Sequence, residues 1–169
     1  AAEIAARTRL SRKLEEQAAE AHAEAITDTL TGLLNRRGFE RRAGALLDRA
    51  ASPLCCVAID IDHFKGINDS WGHPFGDHVL RHLAATLRAN TRPDDLIGRL
   101  GGDEFGVLLS HAEQDKALKK ADALAAALEA SPTVWNGNTI PVSFAYGAFE
   151  LKPGDSPDTA IARAGDANA

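Results

Sequence analysis

The run Leu54–Asp60, LCCVAID, constrains this chain more than any other segment. Its apolar residues are consecutive rather than alternating, which reads as a buried strand, and the run ends on a carboxylate. Cys55 and Cys56 point to opposite faces of such a strand. Two thiols cannot close a tetrahedral metal site, so they read as core residues in a reducing cytoplasm. The other segments arrange themselves around this strand. In Asp28–Arg37, DTLTGLLNRR, either Asp28 or Thr31 can cap a helix running from near Asn35 to about Ala50. A loop carrying Gly66, Gly72, Pro74 and Gly76 follows the buried strand, and an amphipathic helix is expected over Asp77–Asn90. Strands are expected at Asp95–Leu100 and Phe105–Leu109, around Gly101-Gly102-Asp103-Glu104. A helix over Ala112–Ala130 precedes strands at Thr133–Trp135 and Thr139–Phe149, which flank the hairpin signal Asn136-Gly137. A last helix covers Pro157–Ala167. Neighbouring strands joined by tight turns imply an α+β fold with a mostly antiparallel sheet.

Residues 1–27 are a polar, Ala-rich helical stretch. Ile4, Ser11, Ala18 and Ala25 share one heptad phase, and Arg7, Leu14 and Ala21 share another, a thin seam for a coiled coil. This gives two regions, an N-terminal helix over 1–27 and a globular domain over 28–169. The 169 residues suffice for one core without disulfides. A formal charge of −5 argues against binding a nucleic-acid polymer. No apolar run is long enough to span a bilayer, and no signal peptide is visible. The first residue is not Met, so the chain reads as a piece of a longer protein.

The carboxylates carry the chemical signal. Asp60 stands where the buried strand ends, with Asp62 two residues on. Asp103 and Glu104 stand at the tip of the next hairpin. Side-by-side strands would gather these groups at one sheet edge, where mutual repulsion calls for a cation. Oxygen-only donors favour Mg²⁺ or Mn²⁺, with phosphates completing the shell. Gly101 and Gly102 leave room for a substrate to approach the backbone.

RLGGDEF at 99–105 resembles the signature of GGDEF domains, the diguanylate cyclases. DTLTGLLNRR at 28–37, DIDHFKGIND at 60–69 and WGHPFGDHVL at 71–80 are similar to the family's other motifs and occur in its order. The resemblance implies a five-stranded sheet surrounded by helices, a sandwich like the palm of polymerases and nucleotide cyclases. It implies condensation of two GTP into cyclic di-GMP and two pyrophosphates by a homodimer, each protomer holding one GTP. It makes Asp60, the Ile61 carbonyl, Asp103 and Glu104 metal ligands, with Asp103 also a general base. Lys65 would stabilise the leaving pyrophosphate, and Gly101 and Gly102 would lie against the phosphates. Asn68 and Asp77 would read guanine, with Phe64 and His73 near the substrate. A carboxylate can accept from both N1–H and the N2 amino group of guanine, whereas adenine presents an acceptor at N1. Arg92 and Asp95 match the RxxD pattern at which product binds and inhibits. Residues 1–27 would be the helix joining the cyclase to an upstream sensor.

Some positions depart from the family pattern. His63 and Leu100 replace common aromatics, and Ser143–Gly147 alters the strand before the last helix, with a change in local packing expected. The chain stops before the Lys that usually contacts phosphate, which leaves a second reading as a non-catalytic nucleotide receptor. His78 and His82, four apart on a helix, are a conceivable metal pair, but they lack a third ligand and are expected on a solvated flank.

Overall fold

The computed structural model describes residues 1–49 and 51–168. Helices α1 (Ala2–Ile26), α2 (Arg36–Asp48), α3 (Phe64–Trp71), α4 (His73–Ala89), α5 (Gln114–Glu129) and α6 (Pro157–Asn168) surround a five-stranded sheet. Its strands are β1 (Leu34–Asn35), β2 (Leu54–Ile61), β3 (Leu96–Arg99), β4 (Glu104–Ser110) and β7 (Phe144–Leu151), in the order β1-β3-β4-β2-β7. Among the described residues only β1 and β3 pair in parallel. Strands β5 (Thr133–Trp135) and β6 (Asn138–Ile140) form a separate hairpin. The α+β, mostly antiparallel architecture is therefore the one expected.

Strand β2 is the centre of the molecule, paired with β4 on one side and β7 on the other. Its alternation divides the core. Cys55, Val57 and Ile59 pack with Phe75, Leu83 and Leu124 on the α4 and α5 face. Cys56 packs with Phe39, Leu108 and Ile161 on the α2 and α6 face. Burial pushes both thiols up to about 12, so they remain neutral core groups. Gly98 and Gly106 pair across β3 and β4, and a Cβ on either would press into Phe39 or Leu100. This glycine pair lets Phe39 seat α2 directly on the strands that carry the Gly101–Glu104 turn.

Three local expectations need correction. The α2 cap is Asn35, whose side chain accepts from Gly38 N; Asp28 instead closes a turn by accepting from Thr31 N and Oγ1. Ala50, the expected helix end, lies outside the described residues. The expected loop before Asp77 is largely helical: α3 occupies Phe64–Trp71, and α4 begins at His73 with Pro74 in its first turn. The chain breaks only at Gly72, whose φ of 91° ends one helix and starts the next. Finally, Thr139–Phe149 is two strands, β6 and β7, interrupted around Pro141, which has no N–H to give a ladder. The Asn136-Gly137 turn forms as expected, both residues having positive φ. The altered segment 143–147 leaves β7 paired along the whole of β2, from Leu54↔Leu151 to Ile61↔Phe144.

Candidate active site

The expected carboxylate edge forms because the β2–β4 register places Asp60 directly opposite Glu104. The ladder continues one step further, with Ile61 N donating to Asp103 O at 3.2 Å. Asp103 thus sits beside the end of β2. Burial raises the Asp60 carboxyl above its usual range, and Asp103, Glu104 and Asp62 add to the rise by repulsion. Asp62 is drawn aside: Ser143 Oγ donates to its Oδ2 at 2.6 Å, and Asp62 N donates to Ser143 O at 2.9 Å.

A cavity of about 380 Å³ opens beside this edge, lined by Arg36, Asp60, Leu100, Glu104, Ile161 and Asp166 among others. Among the described residues Arg36 is its one basic lining group, held by Glu40 and Asp158 at 2.9 Å each. No role for Arg36 follows from residue type and spacing, although it lies within the DTLTGLLNRR motif. The hairpin tip beside the cavity is open. A Cβ on Gly102 would meet nothing within 4 Å, and one on Gly101 would approach only Glu104, at 3.3 Å from Oε2. Neither glycine has a positive φ, so what they supply is clearance rather than a special backbone angle.

The remaining expected substrate residues lie on the α3–α4 unit that follows β2. His63, at φ 54°, turns the chain into α3. Phe64 is half-buried and Lys65 exposed in the first turn of that helix, and His73 is exposed at the start of α4. Asn68 and Asp77 are half-buried on the two adjoining helices. Asn68 Oδ1 is buried with no hydrogen-bond partner among the described residues. It lies against Gly76, where a Cβ would come within 1.8 Å of it. A buried amide oxygen without a partner is costly, and it marks a place that a ligand can complete.

At the other end of β4 from Glu104, beside Ser110, Arg92 is exposed and Asp95 is not. Asp95 Oδ2 accepts from Arg92 N at 2.9 Å, and its Oδ1 accepts from Ser110 N at 3.2 Å. The carboxylate therefore pins the Arg92 turn to the end of β4, where Arg92 Nη2 donates to Ser110 O at 3.3 Å, and Arg92 and Asp95 line a cavity together with Lys116, Lys119 and Lys120. His78 and His82 are not on a solvated flank. His78 clusters with Phe75 and Trp135, the three rings being in mutual contact, and His82 Nε2 is 2.6 Å from Ser131 O, which can only accept. Among the described residues no group of three His, Cys, Asp or Glu side chains is placed to hold a metal ion.

Fold and site together define an α+β domain with carboxylates gathered at a strand end, an open glycine turn beside them and a cavity of about 380 Å³ that Asp60 and Glu104 line. The chain belongs to the diguanylate cyclase, GGDEF domain family, whose sequence model matches residues 25–168. Among curated relatives, the response regulator PleD of Caulobacter vibrioides is 40% identical over 149 residues, 83% of this chain and 32% of its own length. Diguanylate cyclase DosC of Escherichia coli is 38% identical over 125 residues, 72% of this chain and 27% of its own length. The chain thus spans about a third or less of these two relatives. Among solved structures, the coiled coil and GGDEF domain of DgcB from Caulobacter crescentus, in complex with c-di-GMP, superposes with a TM-score of 0.87 at 27% identity, covering 98% of this chain and 90% of that one. The GGDEF domain of TpbB (YfiN) from Pseudomonas aeruginosa superposes with a TM-score of 0.74 at 37% identity, covering 83% of this chain and 84% of that one.

Proposed function

We propose that this domain is a diguanylate cyclase. The observation that carries the reading is the Asp60–Asp103 carboxylate pair at the strand end, under mutual repulsion and beside an open glycine turn. Two GTP molecules are joined by two successive displacements. In each, the 3′-oxygen of one GTP forms a bond to the α-phosphorus of the other, and the bond to pyrophosphate breaks. Asp103 takes the proton of the attacking hydroxyl. Lys65 neutralises charge on the departing pyrophosphate, and Gly101 and Gly102 admit the phosphates to the backbone. Asn68 and Asp77 hold guanine, with Phe64 and His73 lining the approach.

The donor set fits a hard divalent cation. Asp60, Asp103 and the Ile61 carbonyl would hold the ion through oxygen, with Glu104 next to them. Mg²⁺ or Mn²⁺ bound there supplies Lewis acidity toward the phosphoryl group. Each protomer supplies one GTP, so the active species is a homodimer, with α1 as the link to a sensor in a longer protein. No helix among the described residues is long and apolar enough to cross a membrane. We place the domain in the cytoplasm, where its two thiols stay reduced.

Incubation with GTP and Mg²⁺, followed by chromatography, should yield cyclic di-GMP and pyrophosphate in a 1:2 ratio. The rate per protomer should fall on dilution below the dimer dissociation constant. Protein that binds GTP without forming product would instead be a receptor. Asp77→Asn should reduce the preference for GTP over ATP by about tenfold or more, because an amide donor then faces the guanine donors. Competition binding reads this directly, and unchanged selectivity would remove Asp77 from base recognition.

We further propose that cyclic di-GMP inhibits through the Arg92–Asp95 turn. Arg92 offers a planar, permanently charged fork for phosphate or guanine edges, and Asp95 holds that turn in place. In a progress curve, product at a level that slows the parent about tenfold should slow Arg92→Ala less than about twofold relative to its own uninhibited rate, the loss expected for a charged contact. Equal inhibition of both proteins would move the inhibitory site elsewhere.

A further inference from the structure

Arg99 connects the entry of the chain into the globular domain with the Gly101–Glu104 turn. Its Nε and Nη2 donate to the Gly102 carbonyl at 3.1 and 2.8 Å. Its Nη1 donates to Asp28 Oδ1 at 3.1 Å, and both side chains of this ion pair are only 18% exposed. Asp28 is itself firmly held. Its Oδ2 accepts from Thr31 N and Oγ1, its N–H donates to Leu33 O, and its carbonyl accepts from Gly32 N. It stands two residues beyond the end of α1, whose last turn is tied to the domain by Asn35 Nδ2 donating to Ala25 O at 2.9 Å.

The Gly102 carbonyl belongs to the peptide that continues into Asp103 N. Nothing stands within 4 Å of where a Cβ on Gly102 would lie, so packing around that position does not fix the peptide's rotation. The guanidinium does, with two bonds to one oxygen. A planar fork can hold this carbonyl and a carboxylate at once, whereas an ammonium of different reach and geometry cannot. The consequence falls on Asp103, because turning that peptide swings the residue away from the Asp60 strand end, where Ile61 N meets Asp103 O.

We infer that Arg99 is a positioning residue. It holds the Gly102–Asp103 peptide so that Asp103 faces Asp60, and it is braced against Asp28, so a displacement of α1 at its junction reaches the catalytic turn. Its kinetic consequence rests on the reading of the domain as a cyclase, whereas its positional content does not.

Amide hydrogen exchange in the whole chain separates the two. The reporters are Ile61 N, which donates to Asp103 O, and Leu100 N, which donates to Glu104 O at 2.7 Å. Central residues of β2 such as Val57 serve as the control for global opening. Arg99→Met should accelerate exchange at Ile61 and Leu100 by about tenfold relative to Val57, the factor expected for loss of a charged hydrogen bond. Arg99→Lys should fail to restore protection. Asp28→Asn should also accelerate exchange at Ile61, although Arg99 is still present. In kinetics, Arg99→Met should lower kcat for GTP by about tenfold or more with KM nearly unchanged, the signature of a misplaced reacting group. Protection at Ile61 unchanged in Arg99→Met would overturn the positioning role, as would a rise in KM at constant kcat, which would make Arg99 a nucleotide ligand. Protection unchanged in Asp28→Asn would overturn the coupling to α1. If exchange responds while the parent forms no cyclic di-GMP, the positioning stands and the cyclase reading fails.

Discussion

Asp103→Asn should lower kcat for GTP condensation by about 100-fold or more, the lower range of what a positioned general base contributes. The change keeps the size of the side chain and removes its charge and its capacity to take a proton. The fold should not suffer. In the metal-free protein the Asp60 carboxyl is raised by burial and by its acidic neighbours, Asp103 first among them. A carboxyl raised in the folded state favours folding while protonated, and that contribution is lost as pH rises through the raised value. At neutral pH the ionised carboxylates therefore oppose folding, and replacing one by an amide relieves part of the repulsion. Asp103→Asn should melt at or above the parent temperature without divalent cations, and stabilisation by Mn²⁺ should weaken. Thermal melts with and without Mn²⁺, beside single-turnover assays, read both effects. Turnover near the parent rate would remove Asp103 from the reaction, and a lowered melting temperature without metal would contradict the repulsion.

Gly76→Ala should be the most damaging single methyl added to the site. The new Cβ would lie 1.8 Å from Asn68 Oδ1, 2.9 Å from its Cγ and 3.4 Å from Phe64 Cζ. Asn68 must move, and it moves out of the position proposed to meet guanine. Overpacking of this kind costs about 1–3 kcal/mol, or roughly 2–12 °C in melting temperature for a domain of this size. GTP affinity should fall by about tenfold or more as the guanine contact is lost. The double variant Gly76→Ala/Asn68→Ala removes the clashing atoms, so it should regain melting temperature without regaining GTP affinity. Retention of both properties by Gly76→Ala alone would show that Asn68 need not stand where it does. Recovery of affinity in the double variant would take Asn68 out of base recognition.

Residues near in sequence, or set in register by a single hairpin, are legible from the order of amino acids alone. The apolar run ending at Asp60 is short, bounded by Pro53 and rich in β-branched Val and Ile, which marks a strand covered on both faces, and Leu54–Val57 and Ile59 are buried accordingly. The glycine turn at Gly101–Glu104 specifies the β3–β4 hairpin and sets Asp103 and Glu104 at its tip, whereas Asp60 comes opposite Glu104 only through the pairing of β2 with β4, across α3, α4 and β3. Asn136-Gly137 specifies its turn because few other pairs tolerate two positive φ angles. The helices after β2 are harder to read. Gly66, Gly72, Pro74 and Gly76 look like loop residues by composition, yet Pro74 starts a helix, and Gly76 lies within one because Asn68 leaves no room for a Cβ.

Long-range contacts are decided only by the tertiary structure. The two-residue strand β1 has no periodicity of its own and exists because Leu34 and Asn35 meet Gly98 and Arg99. Arg36 becomes a cavity wall because α6 returns against α2, bringing Asp158 within 2.9 Å of it across 122 residues of sequence. Asp95 carries the same carboxylate as any surface aspartate, but Ser110 N and Arg92 N turn it inward. Arg99 and Asp28 are 71 residues apart, and only folding makes them one ion pair that reaches the Gly102 carbonyl. Spacing and side-chain type determine which groups a strand end can offer. Which partner each charge finds depends on chain segments that sequence separation hides, because a hydrogen bond is selective only over the last few ångströms.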